Sequence, residues 1–372
     1  MIHEAFRAVA HWAGFPAGIA ADTAFRFFLE PGITLFFAQS FKFLNGVPDE
    51  ARIAFGEGLA NQHISADRVG LNTAQAGIVQ HGLALALFSA AAFGTNIVSA
   101  QLAGHAGLSG PLIVFYRVFL MLALVVGAAL IWHASLAVPR RHWSALALFG
   151  LSTALTACAY LSSVSFLPIT VAAVLFYTFP ILIVLAEPVL TPTRFSLDRV
   201  VIALVAFLGV AMVVGPDWHG LDPRGLALAL AASVLAAVQF FSAARCGDTA
   251  TVPKLFWSHL VILPVTLAIL AITGLFQPPS ALLLAPVAVT VTIGGYLIGF
   301  LLQVMALARV APGPAALAFC AEPVFAVAIA AVFLGERVGS LQYAGGALVV
   351  AAIIANVILE QKRARRLPVV AA

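Results

Sequence analysis

From Gly82 onward, long apolar runs alternate with short breaks containing proline, glycine, arginine or aspartate. Ten of these runs approach the roughly 20 residues that a helix needs to cross a bilayer. They cover 82–103, 111–133, 143–163, 167–188 and 198–215, then 224–244, 255–276, 285–307, 312–334 and 341–359. Inside hydrocarbon every backbone N–H and C=O must find a partner within its own segment, so each run is predicted to be helical. The expected fold class is an all-α integral membrane protein with ten transmembrane helices.

Residues 1–81 break the pattern. Charges from Arg7 to Arg68 divide this stretch too finely for a span, while aromatic patches such as Phe25-Arg26-Phe27-Phe28 remain. The stretch is expected to be an N-terminal extension, either disordered or folded into short amphipathic helices lying on a membrane surface. It has no basic start followed by an apolar core and a small-residue cleavage site, as a signal peptide would. The next methionine after Met1 is Met121, so a shorter product is expected to begin at a non-Met codon near Val79. Mass spectrometry of the mature N-terminus tests that expectation.

The second five runs echo the first. His81-Gly82-Leu83-Ala84-Leu85-Ala86-Leu87 returns 143 residues later as Arg224-Gly225-Leu226-Ala227-Leu228-Ala229-Leu230, and the same shift brings Pro180 onto Pro323. A register held at two distant places predicts two repeats, 82–215 and 216–359, followed by a basic tail at 360–372. Five crossings is an odd number, so the second repeat must enter from the opposite face. The fold is therefore expected to be two inverted five-helix repeats.

Composition narrows the class. The chain is 62% hydrophobic and 9% charged, whereas a soluble domain is about a quarter charged. A net charge of +4 is of the sign a nucleic-acid partner would need. The basic residues instead sit in short loops and the tail, where they report topology. With the start of the first span placed in the cytoplasm, inside segments carry eleven Lys and Arg and outside loops only Arg224 and Arg337. Both termini are thus expected to be cytoplasmic, in a multi-pass protein of an inner membrane. Cys158, Cys246 and Cys320 have no metal-type spacing and imply no disulfide framework. No phosphate loop and no H-E-x-x-H pattern occurs, and no metal or cofactor is expected.

The ninth run holds the most costly residue. Glu322 precedes Pro323 at mid-depth, and an intramembrane carboxylate marks a functional site or ties helices together. Pro323 and its repeat partner Pro180 are expected to break their helices. Arg117 either serves a substrate or gate, or snorkels to the headgroups. His259 either handles protons or is an interfacial histidine beside Trp257. Asn96 and Gln239 share a repeat position, as do Tyr160 and Gln303. These four, with Tyr177 one turn before Pro180, are candidates to line a polar path or to bond between helices. Glu187 is expected at the interface.

The stretch EPVFAVAIAAVFLGERVGSLQYAGGALVVAA (322–352) resembles the closing motif of EamA-type exporters in the drug/metabolite transporter superfamily. FYTFPILIVLAEPVL (176–190) and FLGVAMVV (207–214) resemble a weaker first-half copy. The resemblance spans about 82–359 and implies export or exchange of small metabolites, amino acids or drugs by alternating access. It further implies a central cavity surrounded by the first four helices of each half, with the fifth and tenth peripheral. The expected partners are a small-molecule substrate and the lipid bilayer, and the apolar last helix leaves a homodimer open. The competing classes are a membrane-embedded enzyme, a non-transporting scaffold and a channel. The first lacks convergent catalytic groups, and the last lacks rings of like charge.

Overall fold

A computed structural model describes residues 64–216 and 221–366, with side chains over 77–216 and 221–364. The expectation for residues 1–63 lies outside the described residues. The first half comprises α1 (Ile64–His105), α2 (Gly110–Ile131), α3 (Trp143–Val164), α4 (Ile169–Phe176), α5 (Phe179–Leu190) and α6 (Leu197–Val214). The second comprises α7 (Pro223–Arg245), α8 (Thr251–Thr273), α9 (Pro286–Leu307), α10 (Pro312–Phe319), α11 (Glu322–Leu334) and α12 (Ser340–Arg366). Two short 3-10 turns (Arg140–His142 and Pro279–Leu284) complete the described structure, which contains no strand. Ten helical segments are long and apolar enough to cross a membrane, with α4–α5 and α10–α11 each forming one crossing.

Local chemistry fixes several helix starts. The Ser109 hydroxyl accepts from the Leu112 N–H ahead of α2, the Ser196 hydroxyl from Arg199 N–H ahead of α6, and the Asp222 carboxylate from Arg224 N–H ahead of α7. Each cap satisfies a backbone donor that the first helical turn leaves free. One boundary departs from expectation. α1 begins at Ile64 and runs without a break through Gly82, and its part long and apolar enough to cross a membrane covers Gly77–His105.

The 143-residue register holds at the level of secondary structure. α3 and α9 start at Trp143 and Pro286, α4 and α10 at Ile169 and Pro312, α5 and α11 at Phe179 and Glu322, and α6 and α12 at Leu197 and Ser340. The packing follows suit. α1 packs on α9 as α7 packs on α3, α2 packs on α8, and α6 packs on α12. At the last pairing the backbones nearly touch: a Cβ on Gly345 would lie 2.6 Å from the Gly209 carbonyl oxygen. Small residues at such a crossing allow the close approach that drives association in lipid.

Two cross-repeat hydrogen bonds near the span ends join segments of the same face, in keeping with five crossings per repeat. Gln277 Nε2 reaches the Gly107 carbonyl on one face, and Trp257 Nε1 the Leu136 carbonyl on the other, at 2.9 Å. The second face carries Arg140, Arg141, Arg194, Arg245, Arg309 and Lys362, against Arg224 and Arg337 on the first. We refer to it as the basic face. Large apolar side chains such as Leu130, Val189 and Ile272 are exposed on the flanks, where a bilayer would cover them.

Candidate functional site

Two proline-broken spans meet near the centre. A proline inside a helix lacks the N–H for the carbonyl four residues earlier, and its ring clashes with that carbonyl. Pro180 and Pro323 each follow a helix that stops four residues before them, α4 at Phe176 and α10 at Phe319. Each span is thus interrupted about one turn before its proline. In the first repeat the gap is stitched by Thr178, whose hydroxyl donates to the Leu175 carbonyl and lies 2.8 Å from Ser233 Oγ on α7. In the second repeat the corresponding residues are Ala321 and Ala90, and no such stitch can form.

Glu322 opens α11 at the second break and is partly accessible. It stands about 15 Å into its span at 1.5 Å per residue. α1 presses close here, because a Cβ on Gly94 would lie 2.9 Å from the Glu322 carbonyl oxygen. Tyr177, from the first break, lies within electrostatic reach of the Glu322 carboxylate. Tyr160 and Cys320 lie within electrostatic reach of the pair. No cation pairs with Glu322 among the described residues.

Arg117 forms a second centre on α2, about 10 Å from the opposite end of its span. Its guanidinium covers the Tyr296 ring at 4.2 Å, and Nη1 donates to Asn96 Oδ1 at 3.3 Å. Asn96 is held in turn, its Nδ2 donating to the Thr292 carbonyl at 2.6 Å. The buried Nε of Arg117 has no hydrogen-bond partner, and no carboxylate among the described residues pairs with the group. A cation with only an aromatic face and one amide oxygen is under-neutralised at this depth.

His259 belongs to this centre. It is 0% exposed, its Nδ1 lies 2.8 Å from the Leu255 carbonyl, and its Nε2 lies 3.1 Å from the Tyr296 hydroxyl. The expectation of an interfacial histidine beside Trp257 is therefore corrected. Trp257 turns outward to Leu136, while His259, two residues on, faces the opposite side of α8. Phe93 touches both centres, 6.4 Å from the Tyr296 ring and 6.2 Å from Phe319, which precedes the second break. From Phe319 the rings continue through Phe240 and Phe179 to Phe176, which lies against Tyr160. Gln239 and Gln303 are buried on α7 and α9 and make no hydrogen bond to either centre among the described residues.

The charged centres break the repeat symmetry. Under the 143-residue shift Glu322 corresponds to Phe179, Arg117 to Leu260, His259 to Tyr116 and Tyr177 to Cys320. The scaffold is duplicated, but the ionisable groups are not.

A third cluster escaped the sequence reading. Glu187, expected at the interface, is 1% exposed and receives Arg199 Nη1 at 2.8 Å. Nη2 and Nε of Arg199 reach Glu360 Oε1 at 2.8 and 3.1 Å, and the Gly313 N–H donates to Glu187 Oε1 at 3.3 Å. This network ties α5 and α6 to α10 and α12 on the basic face. Nearby on that face Asp248 pairs with Arg141 and, at 3.1 Å, with His142. His142 Nδ1 lies 2.7 Å from Thr249 Oγ1. A signal for the first network was present, since Glu187 and Arg199 flank one loop and Glu360 ends the last apolar run. Their meeting across the repeats is tertiary.

No group of three or more His, Cys, Asp or Glu among the described residues could hold a metal ion. No functionally curated protein matches the chain in sequence. A solved structure known only as "Crystal structure of protein" superposes with a TM-score of 0.62 at 20% identity, over 74% of this chain and 98% of that one. At that identity the likeness concerns the fold alone. The sequence matches the model of the EamA-like transporter family twice, over residues 80–215 and 223–358. Those two matches cover both repeats and every helix of the two charged centres, and the chain belongs to the EamA-like transporter family.

Proposed function

We propose that this transporter is a secondary carrier, exporting a small metabolite, amino acid or drug across an inner membrane by alternating access. Both termini and the basic face lie in the cytoplasm, in keeping with the excess of Lys and Arg there. The observation that carries the reading is a pair of ionisable groups deep within their spans, Glu322 and Arg117, neither paired with an opposite charge among the described residues and joined by aromatic rings inside a duplicated scaffold. Broken helices at the repeat interface are where carriers of this architecture hold substrate and coupling ions.

Glu322 receives a proton or a substrate ammonium, with Tyr177 orienting the carboxylate. Arg117 receives an anionic substrate group through its free Nε, with Asn96, Tyr296 and His259 fixing the guanidinium. The cytoplasmic path is closed by the Glu187–Arg199–Glu360 network and the Asp248 contacts, which must part for substrate to enter from that side. The opposite face is held by neutral hydrogen bonds, such as Gln342 Nε2 to the Val213 carbonyl at 3.1 Å.

The experiment is solute flux in liposomes with Glu322→Gln. Export is expected to lose its pH dependence while the protein remains folded. Unchanged pH dependence would remove the proton-carrying role. Flux that neither saturates nor shows counter-exchange would replace a carrier with a channel.

A further inference from the structure

A cleft of about 440 Å³ opens on the basic face between the start of α3 and the end of α7. It shares no residue with the two charged centres. Arg141, His142, Ser144 and Arg245 form its polar wall, and Ala145 and Leu148 its apolar floor. Arg141 is shared with Asp248 but remains largely exposed. Arg245 is exposed and has no carboxylate partner among the described residues. The wall therefore carries uncompensated positive charge.

Its depth is marked by aromatic side chains. Trp143 begins α3 and lies edge-on to Trp257 at 4.7 Å, and tryptophans gather at the level of lipid headgroups. Leu148 lies just over one turn deeper. Leu151 and Leu155 are also exposed and continue along the same helix, making an apolar track of about 10 Å below the cleft. A soluble phosphate ester would use only the polar wall. An amphiphile would use both parts.

We propose that this cleft is a binding site for an anionic phospholipid of the leaflet on the basic face. The phosphate lies between Arg141 and Arg245, and an acyl chain follows Leu148, Leu151 and Leu155. Basic pockets between transmembrane helices are suited to such headgroups. The site also touches the contact between the repeats, because the phosphate competes with Asp248 for Arg141. Binding does not rest on the transport reading and is measured without substrate.

The test uses the full chain in detergent, titrated with dioleoyl phosphatidylglycerol or dioleoyl phosphatidylcholine and read by native mass spectrometry. The wild type is expected to retain phosphatidylglycerol in preference. Arg245→Gln should weaken that binding about five-fold, the effect of one cation near an anionic headgroup, and Arg245→Lys should restore it. Leu148→Asn, which keeps both cations, should weaken it as well. Equal retention of both lipids, or Arg245→Gln within two-fold of wild type, would overturn the proposal. Displacement of the lipid by glycerol 3-phosphate at comparable concentration would also overturn it, as the cleft would then hold soluble phosphates.

Discussion

Replacing Arg199 with methionine removes the one cation between two buried carboxylates. In the native protein the Arg199 side chain is 7% exposed, against 1% for Glu187 and 11% for Glu360. Without it, Glu187 keeps the Gly313 N–H, and Glu360 keeps Arg363, whose Nη1 is 3.8 Å away. Breaking a buried pair from one side costs about 3–5 kcal/mol, because a charge is left in low dielectric. Arg199→Met should therefore destabilise the folded state by about that amount. Unfolding in mixed micelles with rising SDS fraction, followed by tryptophan fluorescence, measures it. The neutral triple variant Glu187→Gln, Arg199→Met, Glu360→Gln has no charge left to strand and should recover most of the loss. Arg199→Met within about 0.5 kcal/mol of wild type would refute a desolvated network. A triple variant no better than the single one would show instead that the arginine's packing, not its charge, was lost.

Three further substitutions probe other parts of the structure. Gly345→Ala places a methyl against the Gly209 carbonyl and Met212, so α6 and α12 must separate; a loss of about 1–3 kcal/mol is expected in the same assay, and none would mean the helices do not cross there. Tyr296→Phe removes the hydroxyl partner of a fully buried His259 nitrogen while keeping a ring beneath Arg117. It should cost about 1–3 kcal/mol, whereas an unchanged midpoint would place His259 in water. For Asp248, partial burial raises the carboxyl pKa, but its own backbone N–H and the neighbouring His142 and Arg141 outweigh that and hold it below the ordinary value. A depressed carboxyl stabilises the folded state above its unfolded pKa of about 4 and loses that contribution as pH falls through the folded one. Melting curves should thus show wild type above Asp248→Asn at neutral pH and the two converging in acid; a constant gap would contradict the linkage.

Much of the frame was legible because lipid imposes simple rules. Span length, proline position and the 143-residue echo are properties of the chain itself. They anticipated α3, predicted over 143–163 and found over Trp143–Val164. What stayed hidden depends on which side of a helix faces inward. In a uniformly apolar helix polarity does not distinguish the two sides, so nothing in the seventh run separates an outward Trp257 from an inward His259. The charges near span ends were misleading for a related reason. Glu187, Arg199 and Glu360 each resemble a residue at the water boundary until three helices and the start of α10 enclose them.

The two faces of the molecule are held together differently, and in an inverted repeat that difference carries energy. If the halves exchange conformations, as the proposed mechanism requires, contacts on one face form while those on the other part. Duplicated contacts would make the two facing states equal in energy. Here the basic face is joined across the repeats by the buried ion pair of Arg199 with Glu360, to which Glu187 adds from the first repeat, whereas the opposite face relies on hydrogen bonds such as Gln342 to Val213. The state closed on the basic face is thereby favoured, and a substrate or proton must bind the other state more tightly to shift the balance. Arg199→Met, which strands Glu187 and Glu360 in the closed arrangement, should move the resting protein toward opening on the basic face, seen as faster labelling of single cysteines placed beside Glu322 by a reagent added from that side. Unchanged labelling in Arg199→Met would confine those ion pairs to stability and leave the balance between states to the central charges.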